Sequence, residues 1–435
     1  MGIKTNIIDL ANFKNLSEDT IKEKMLKAIE QINKGEVIAF PTETVYGLGA
    51  NAFNETAVEK IFKIKGRPAD NPLIVHVCSI KQAESIIDFN DFIYKNNNNK
   101  NTELIRNESR GNNNINNNPE TKQNKKDNVN SQFLSKKVLL DRFQKAQSLW
   151  PGPISFIFPA KKDKIPSVVR GGLSTVAIRL PDHLLAQILI KNSFPLAAPS
   201  ANISGKPSCT NYIDVINDFN GKISYVIDGG HSVYGIESTV VDCTSIIPTI
   251  LRPGFITQED LYPIFPDIVY SDALNCNIIE KDGSLKSSPK SPGMKYTHYK
   301  PEAKVVLLGK NEDKYFLSNI TKSSSKKIYM MKPLDSSFDI NNNEPFNNLK
   351  NKKILILKHS DLFDPLFKII ERFSSDTKII NFVDSYSFAQ KFYALFRQAD
   401  REDREYIFIE PYGFSGFELA IMNRLQKAMD EIWTF

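Results

Sequence analysis

Residues 40–77, FPTETVYGLGANAFNETAVEKIFKIKGRPADNPLIVHV, decide how the rest of the chain is read. Just ahead of Pro41, the apolar run Val37, Ile38, Ala39 and Phe40 has the length and character of a buried strand. A polar loop then begins, carrying Thr42, Glu43, Thr44 and Tyr46 with two glycines, Gly47 and Gly49. Asn54 is a favourable N-cap residue, and Val58, Ile61 and Phe62 behind it recur at helical spacing. Gly66 and Pro68 stop that helix and leave Lys65 and Arg67 on its exit loop. A second apolar strand over 73–77 carries His76. Strand, polar loop, helix, cationic loop and strand make an α/β half-site suited to an anion. The same two cations would also favour the helix dipole with no ligand present, and a histidine inside a strand serves equally as a core residue. Gly47-x-Gly49-x-x-Ala52 imitates a dinucleotide fingerprint, but that motif turns a strand directly into a helix. Here six residues separate Phe40 from Gly47, and the fingerprint is set aside.

The chain has 435 residues and a formal net charge of +6. That length suits two or three domains, each with its own core. The mild positive charge permits contact with phosphates without demanding a nucleic acid. Cys78, Cys209, Cys243 and Cys276 lie far apart, with no CxxC pair and no HExxH, so the sequence suggests neither a zinc site nor a disulfide framework. The opening residues MGIKTNIIDL have neither secretory nor transit character. No apolar stretch reaches the roughly 18 residues of a membrane span. A cytoplasmic protein with no membrane contact is expected.

Ser17 caps a helix whose stripe of Ile21, Met25, Ala28, Ile29 and Ile32 is closed by Gly35. A short helix after Ser79 follows the half-site. Over 96–130 asparagine becomes the commonest residue, and only Leu104, Ile105, Ile115 and Val129 are large and apolar. Such a segment cannot bury enough surface to offset its ordering entropy, which predicts a disordered insertion. A helix over 138–149 comes next, then strands at 154–158, 175–180, 225–227 and 236–242. Small and hydrogen-bonding residues follow a short apolar run at 197–202, and Thr257 with Asp260 forms a helix-capping pattern. Residues 262–300 read as a linker ending in SPGMKYTHYKP. Beyond it, strands at 305–308, 353–357, 378–382 and 406–409 alternate with helices, including 387–397 and 416–429, which implies a small parallel sheet. The expected division is a catalytic domain over 17–265, a linker over 266–300 and a second domain over 301–435.

Holding a triphosphate takes several converging cations and donors. Lys65, Arg67, Arg179 and Arg252 can supply the first; Asn71, Ser200 and Asn202 can supply the second. Neither the GxxxxGK[ST] loop of P-loop ATPases nor a kinase catalytic loop occurs. The residues by themselves indicate a soluble α/β protein for a phosphate-bearing ligand.

PTETVYGLG followed by KGRPADNPLIVHV resembles the signature of YrdC-type domains, and later landmarks resemble the two-domain L-threonylcarbamoyl-adenylate synthase family. The resemblance covers nearly everything outside 96–130. It implies a YrdC-like twisted mixed sheet with helices, joined by an ordered linker to a small Rossmann-like parallel α/β domain. It implies a nucleotidyltransferase that converts L-threonine, bicarbonate and ATP, with Mg2+, into threonylcarbamoyl-AMP and pyrophosphate. The product would pass to a tRNA threonylcarbamoyl transferase, with weak RNA contact possible. By resemblance, Lys65, Arg67, Ser200 and Asn202 face ATP; Asn71, Thr175, Ser208 and Arg252 add nucleotide contacts, and Tyr296 closes over it from SPGMKYTHY. Thr44, His76, Arg179 and Ser238, with the Ala198 backbone, form the threonine set, and no metal ligand is implied. Thr175 and Ser238 would also pass as ordinary strand hydroxyls. Lys300, Phe417 and Glu418 depart from the family pattern, and they bear on the docking of the second domain. Two rivals share the domain type. An RNA-binding module would show salt-dependent affinity without ATP. Carbamoyl-adenylate-forming hydrogenase maturation factors carry cysteine pairs and an acylphosphatase segment, neither of which occurs here.

Overall fold

The 40–77 stretch folds into the middle of an eleven-stranded mixed sheet. The structure, a computed structural model, describes residues 4–90, 92–95, 131–271, 274, 299–321, 326–331 and 344–435. The insertion expected at 96–130 lies outside the described residues, as does Tyr296 with most of the linker. From edge to edge the sheet runs Asn6–Asp9, Tyr225–Asp228, Ile38–Phe40, Gly47–Asn51, Leu196–Ala198, Ile74–His76, Thr175–Arg179, Ile154–Pro159, Thr239–Asp242, Thr249–Arg252 and Val269–Tyr270. Its first strand precedes residue 17 and its last follows residue 265, so the sheet extends past both ends of the expected domain.

Alternation along a strand sends neighbouring side chains to opposite faces. Val37 and Ala39 pack into one core with the helix Glu55–Lys65, whereas Ile38 and Phe40 pack into another under the helices Glu18–Asn33 and Leu184–Lys191. The sheet is therefore covered on both faces. Gly47–Asn51, expected as part of a polar loop, is a strand antiparallel to Ile38–Phe40, pairing Phe40 with Gly47 and Ile38 with Gly49. The two glycines make room for the Phe40 ring: a Cβ on Gly47 would lie 2.9 Å from it, and one on Gly49 2.7 Å. They serve packing against that ring. Asn54 caps the following helix by accepting from the Ala57 N–H at 3.0 Å, and Gly66 ends it at φ 64°.

The second sheet has six strands in the order Lys327–Met330, Glu431–Thr434, Lys304–Gly309, Tyr406–Ile409, Lys353–Lys358 and Asp376–Asn381, all paired in parallel. Two of its helices, Ser385–Arg401 and Gly416–Ala428, carry the contact with the first sheet's domain. Phe417 stacks on Tyr386 at 4.5 Å and meets Phe255 at 5.5 Å, which in turn lies 4.0 Å from Tyr234. Gly235, at φ 73°, lets the helix Ser385–Arg401 approach its backbone, since a Cβ there would fall 2.4 Å from the Ala389 carbonyl. Arg397 forks onto Asp218 at 3.1 and 2.8 Å, and Lys300 pairs with Asp430 at 2.5 Å. The departures at Lys300 and Phe417 thus have structural partners of their own.

Candidate active site

Strand ends and loops of the first domain close around an open cleft. Lining it are Lys65, Arg67, Ser200, Asn202 and Arg252, together with Thr44, His76, Arg179, Ala198 and Ser238. Residues spread over more than two hundred positions of sequence, from Thr44 to Arg252, therefore share one wall, because strands Leu196–Ala198, Ile74–His76 and Thr175–Arg179 are adjacent.

Lys65 is the last residue of its helix, so its side chain projects past the helix end toward the loop after Ala198. Its ammonium donates to the Ser200 carbonyl at 2.6 Å and to the Asn202 carbonyl. Burial, aided by the neighbouring Arg67 charge, lowers the Lys65 pKa to about 7. The Ser200 hydroxyl donates to Asn202 Oδ1 at 2.5 Å, and the Asn202 amide ties the loop together through the carbonyls of Ile203 at 2.8 Å and Lys206 at 2.9 Å. Arg67 Nη2 donates to the carbonyls of Asn71 at 3.3 Å and Pro72 at 3.2 Å. At these contacts backbone carbonyls accept from both cations.

The other end of the cleft is built differently. Arg179 pairs in register with His76 across adjacent parallel strands. Its Nη1 donates to Thr44 Oγ1 at 2.8 Å, its Nε reaches the Gly152 carbonyl at 3.3 Å, and its Nη2 lies 2.6 Å from Glu43. A ligand carboxylate would thus share the guanidinium with Glu43. His76 bonds through Nδ1 to the Ile74 carbonyl at 3.2 Å. Burial, then the Arg179 charge, lowers its pKa to about 3 and keeps the imidazole neutral. Ser238 Oγ sits 2.9 Å from Ser155 Oγ and accepts from Arg252 Nη2 at 3.1 Å.

Three residues of the implied nucleotide set do not line the cleft. Ser208 donates to Glu237 at 2.6 Å, behind the wall. Asn71 and Thr175 stand just before or at the start of the adjacent strands Ile74–His76 and Thr175–Arg179. Asn71 is 1% exposed, and neither atom of its amide has a hydrogen-bond partner among the described residues. A buried orphan amide invites a ligand or water. Conversely, Glu237 and Tyr299 line the cleft and escaped the sequence reading. Tyr299 ends the SPGMKYTHY motif, in which the resemblance gives a role only to Tyr296, whereas no local motif marks Glu237. Among the described residues no group of His, Cys, Asp and Glu could hold a metal ion, and no helix is long and apolar enough to cross a membrane.

The architecture is that of a two-domain α/β protein with a cationic cleft in its YrdC-like half. Residues 30–121 and 131–254 match a family described as Telomere recombination, and residues 256–429 match the Threonylcarbamoyl-AMP synthase, C-terminal domain. A Threonylcarbamoyl-AMP synthase of Pyrococcus abyssi is 38% identical over 69% of this chain and 72% of its own length. One from Schizosaccharomyces pombe is 32% identical over 91% of this chain and 85% of its own. A crystal structure of P. abyssi Sua5 complexed with L-threonine, 31% identical, superposes with a TM-score of 0.67 over 100% of both chains. The chain belongs to the threonylcarbamoyl-AMP synthase family, in its two-domain form.

Proposed function

We infer that this chain condenses L-threonine, bicarbonate and ATP into threonylcarbamoyl-AMP, releasing pyrophosphate. One observation carries the reading: a cluster of cations, the buried Lys65 and Arg252 with the half-buried Arg67, and a separate guanidinium–hydroxyl site, Arg179 with Thr44, face the same cleft. Triphosphate and amino acid can then meet there.

The threonine amine adds to bicarbonate with loss of water, or to carbon dioxide with loss of a proton, and the resulting carbamate oxygen attacks the α-phosphate as pyrophosphate leaves. Such a reaction asks little covalent chemistry of the protein; positioning and stabilisation of spreading phosphoryl charge supply the catalysis. Lys65 and Arg67 are suited to that charge, because both line the cleft and the Lys65 ammonium is held there by backbone carbonyls. Asn71 and Thr175 extend the nucleotide side, and Tyr296 is assigned to it from the motif alone. Arg179, Thr44 and Ser238 hold the amino acid, and the neutral His76 can accept or donate a hydrogen bond without adding charge. Glu237 is engaged by Ser208, Tyr393 and Arg424, so Mg2+ enters with the triphosphate as part of the substrate. The product is an activated mixed anhydride, and we assign its use to threonylcarbamoylation of tRNA in the cytoplasm by a separate transferase.

Pyrophosphate release should need threonine, bicarbonate and ATP together. Equal release with threonine omitted would sink the reading.

A further inference from the structure

Glu237 has no part in the substrate assignments above, yet three side chains converge on it. It is 6% exposed and lies on the cleft wall beside Ser238. Its Oε1 accepts from Ser208 at 2.6 Å, and both oxygens accept from the Tyr393 hydroxyl, at 3.2 and 3.0 Å. Its Oε2 accepts from Arg424 Nε at 3.2 Å. Tyr393 and Arg424 both come from helices of the second domain.

Arg424 is wholly buried, and its other contacts show what it grips. Nη2 donates to the Glu237 carbonyl at 3.3 Å, and Nη1 donates to the carbonyls of Ala420 at 3.1 Å and Pro253. Glu237 immediately precedes Ser238, and Pro253 immediately follows Arg252. One guanidinium from the second domain thus holds the backbone on the outer side of both partners in the Ser238–Arg252 pair. That pair is itself joined by Arg252 Nε to the Ser238 carbonyl at 3.0 Å and by Nη2 to its hydroxyl at 3.1 Å. Tyr299, on the same wall, lies 5.3 Å from Tyr393, ring to ring.

We propose that Glu237, Tyr393 and Arg424 form a positioning cluster through which the second domain sets the Ser238–Arg252 pair in the active site. The two domains are then one catalytic unit at this point, and the second does more than stabilise the first. A guanidinium held by carboxylate and carbonyls suits the task, since its planar fork fixes several acceptors at once. The charges of both arginines and the Ser208 hydrogen bond offset the cost of burying the carboxylate and hold Glu237 below the usual carboxylate range. Glu237 and Arg424 therefore stay ionised near neutral pH, while the Tyr393 hydroxyl keeps its proton.

The proposal rests on the synthase reading for its role in turnover, but ATP affinity tests it independently. In the full chain, Arg424→Met should weaken ATP binding about tenfold by calorimetry and raise the KM for threonine by a similar factor, the effect of removing hydrogen bonds to a charge. Tyr393→Phe, which keeps the ring against Tyr299, should shift both several-fold in the same direction. Arg401→Ala breaks an ion pair to Asp214 at the same domain junction, away from the cleft, and serves as the control. It should lower the thermal midpoint while leaving ATP affinity within about twofold. Unchanged ATP affinity and threonine KM in a folded Arg424→Met or Tyr393→Phe protein would overturn the proposal. So would equal losses in Arg401→Ala, because any loosening of the junction would then suffice. If Arg424→Met does not fold, Tyr393→Phe decides alone. Wild-type protein that binds ATP but releases no pyrophosphate, with binding still weakened in the cluster variants, would fail the synthase reading and retain the cluster.

Discussion

Replacing Lys65 by methionine separates catalysis from stability at a single atom. The ammonium is buried, with its pKa lowered to about 7, so the unfolded chain binds the proton more tightly than the folded one. A drop from the ordinary lysine value of 10.5 to about 7 costs the native state on the order of 4 kcal/mol at neutral pH. Methionine removes that cost but leaves the Ser200 and Asn202 carbonyls without their donor, at about 1–3 kcal/mol each. The two nearly cancel, and the variant should fold with a stability within about 2 kcal/mol of wild type. Turnover is a different matter, since a cation opposite developing phosphoryl charge is worth about 100-fold or more. Chemical denaturation from pH 7 to 10 adds a signature: wild-type stability should climb with pH in that window, and the Lys65→Met slope should be smaller. The assay pair is pyrophosphate release per folded molecule and urea unfolding. A variant of normal turnover would show that Lys65 serves only its helix end, and pH slopes that match would show that the amine is not desolvated.

Arg179→Ala should raise the KM for threonine at least about tenfold with a smaller change for ATP, because the guanidinium binds a carboxylate through charge-assisted hydrogen bonds. A defect seen only with ATP would reverse the assignment of the two ends of the cleft. ATP affinity should fall as pH rises through about 7, where free Lys65 loses its proton, and Lys65→Arg should flatten that profile. A flat wild-type profile from pH 6 to 8.5 would contradict it. Residues 96–130 are flanked by antiparallel strands Phe92–Lys95 and Ser131–Leu134, whose end residues Lys95 and Ser131 are paired. Joining them by an Asn-Gly turn should leave activity unchanged and shift stability by less than about 1 kcal/mol; a loss of several kcal/mol would show that the segment packs against the fold.

Much of this was legible where one residue's role is local. Ser17, Asn54, Ser79 and Thr257 each cap the helix their position suggested, and the apolar runs around 38, 74 and 154 are strands. The cleft residues were legible through long ordered motifs and not through spacing. Gly47–Asn51 was missed because its glycines give no alternation to read; their meaning lies in the Phe40 ring across the hairpin. Strands Asn6–Asp9 and Glu431–Thr434 are short and depend on distant neighbours, Tyr225–Asp228 for the first, Lys304–Gly309 and Lys327–Met330 for the second. Glu237 was beyond reach for the same reason. Its partner Arg424 lies 187 residues along the chain, and only the packing of two domains brings them together.

The most direct test of the synthase account follows the carbon of bicarbonate. Purified protein is incubated with ATP, magnesium, L-threonine and carbon-13 bicarbonate, and the adenylate products are resolved by mass spectrometry. The account predicts an AMP conjugate that contains threonine and carries the heavy carbon, formed in step with pyrophosphate and absent when threonine or ATP is omitted. Pyrophosphate release without any labelled threonine-bearing adenylate would contradict it.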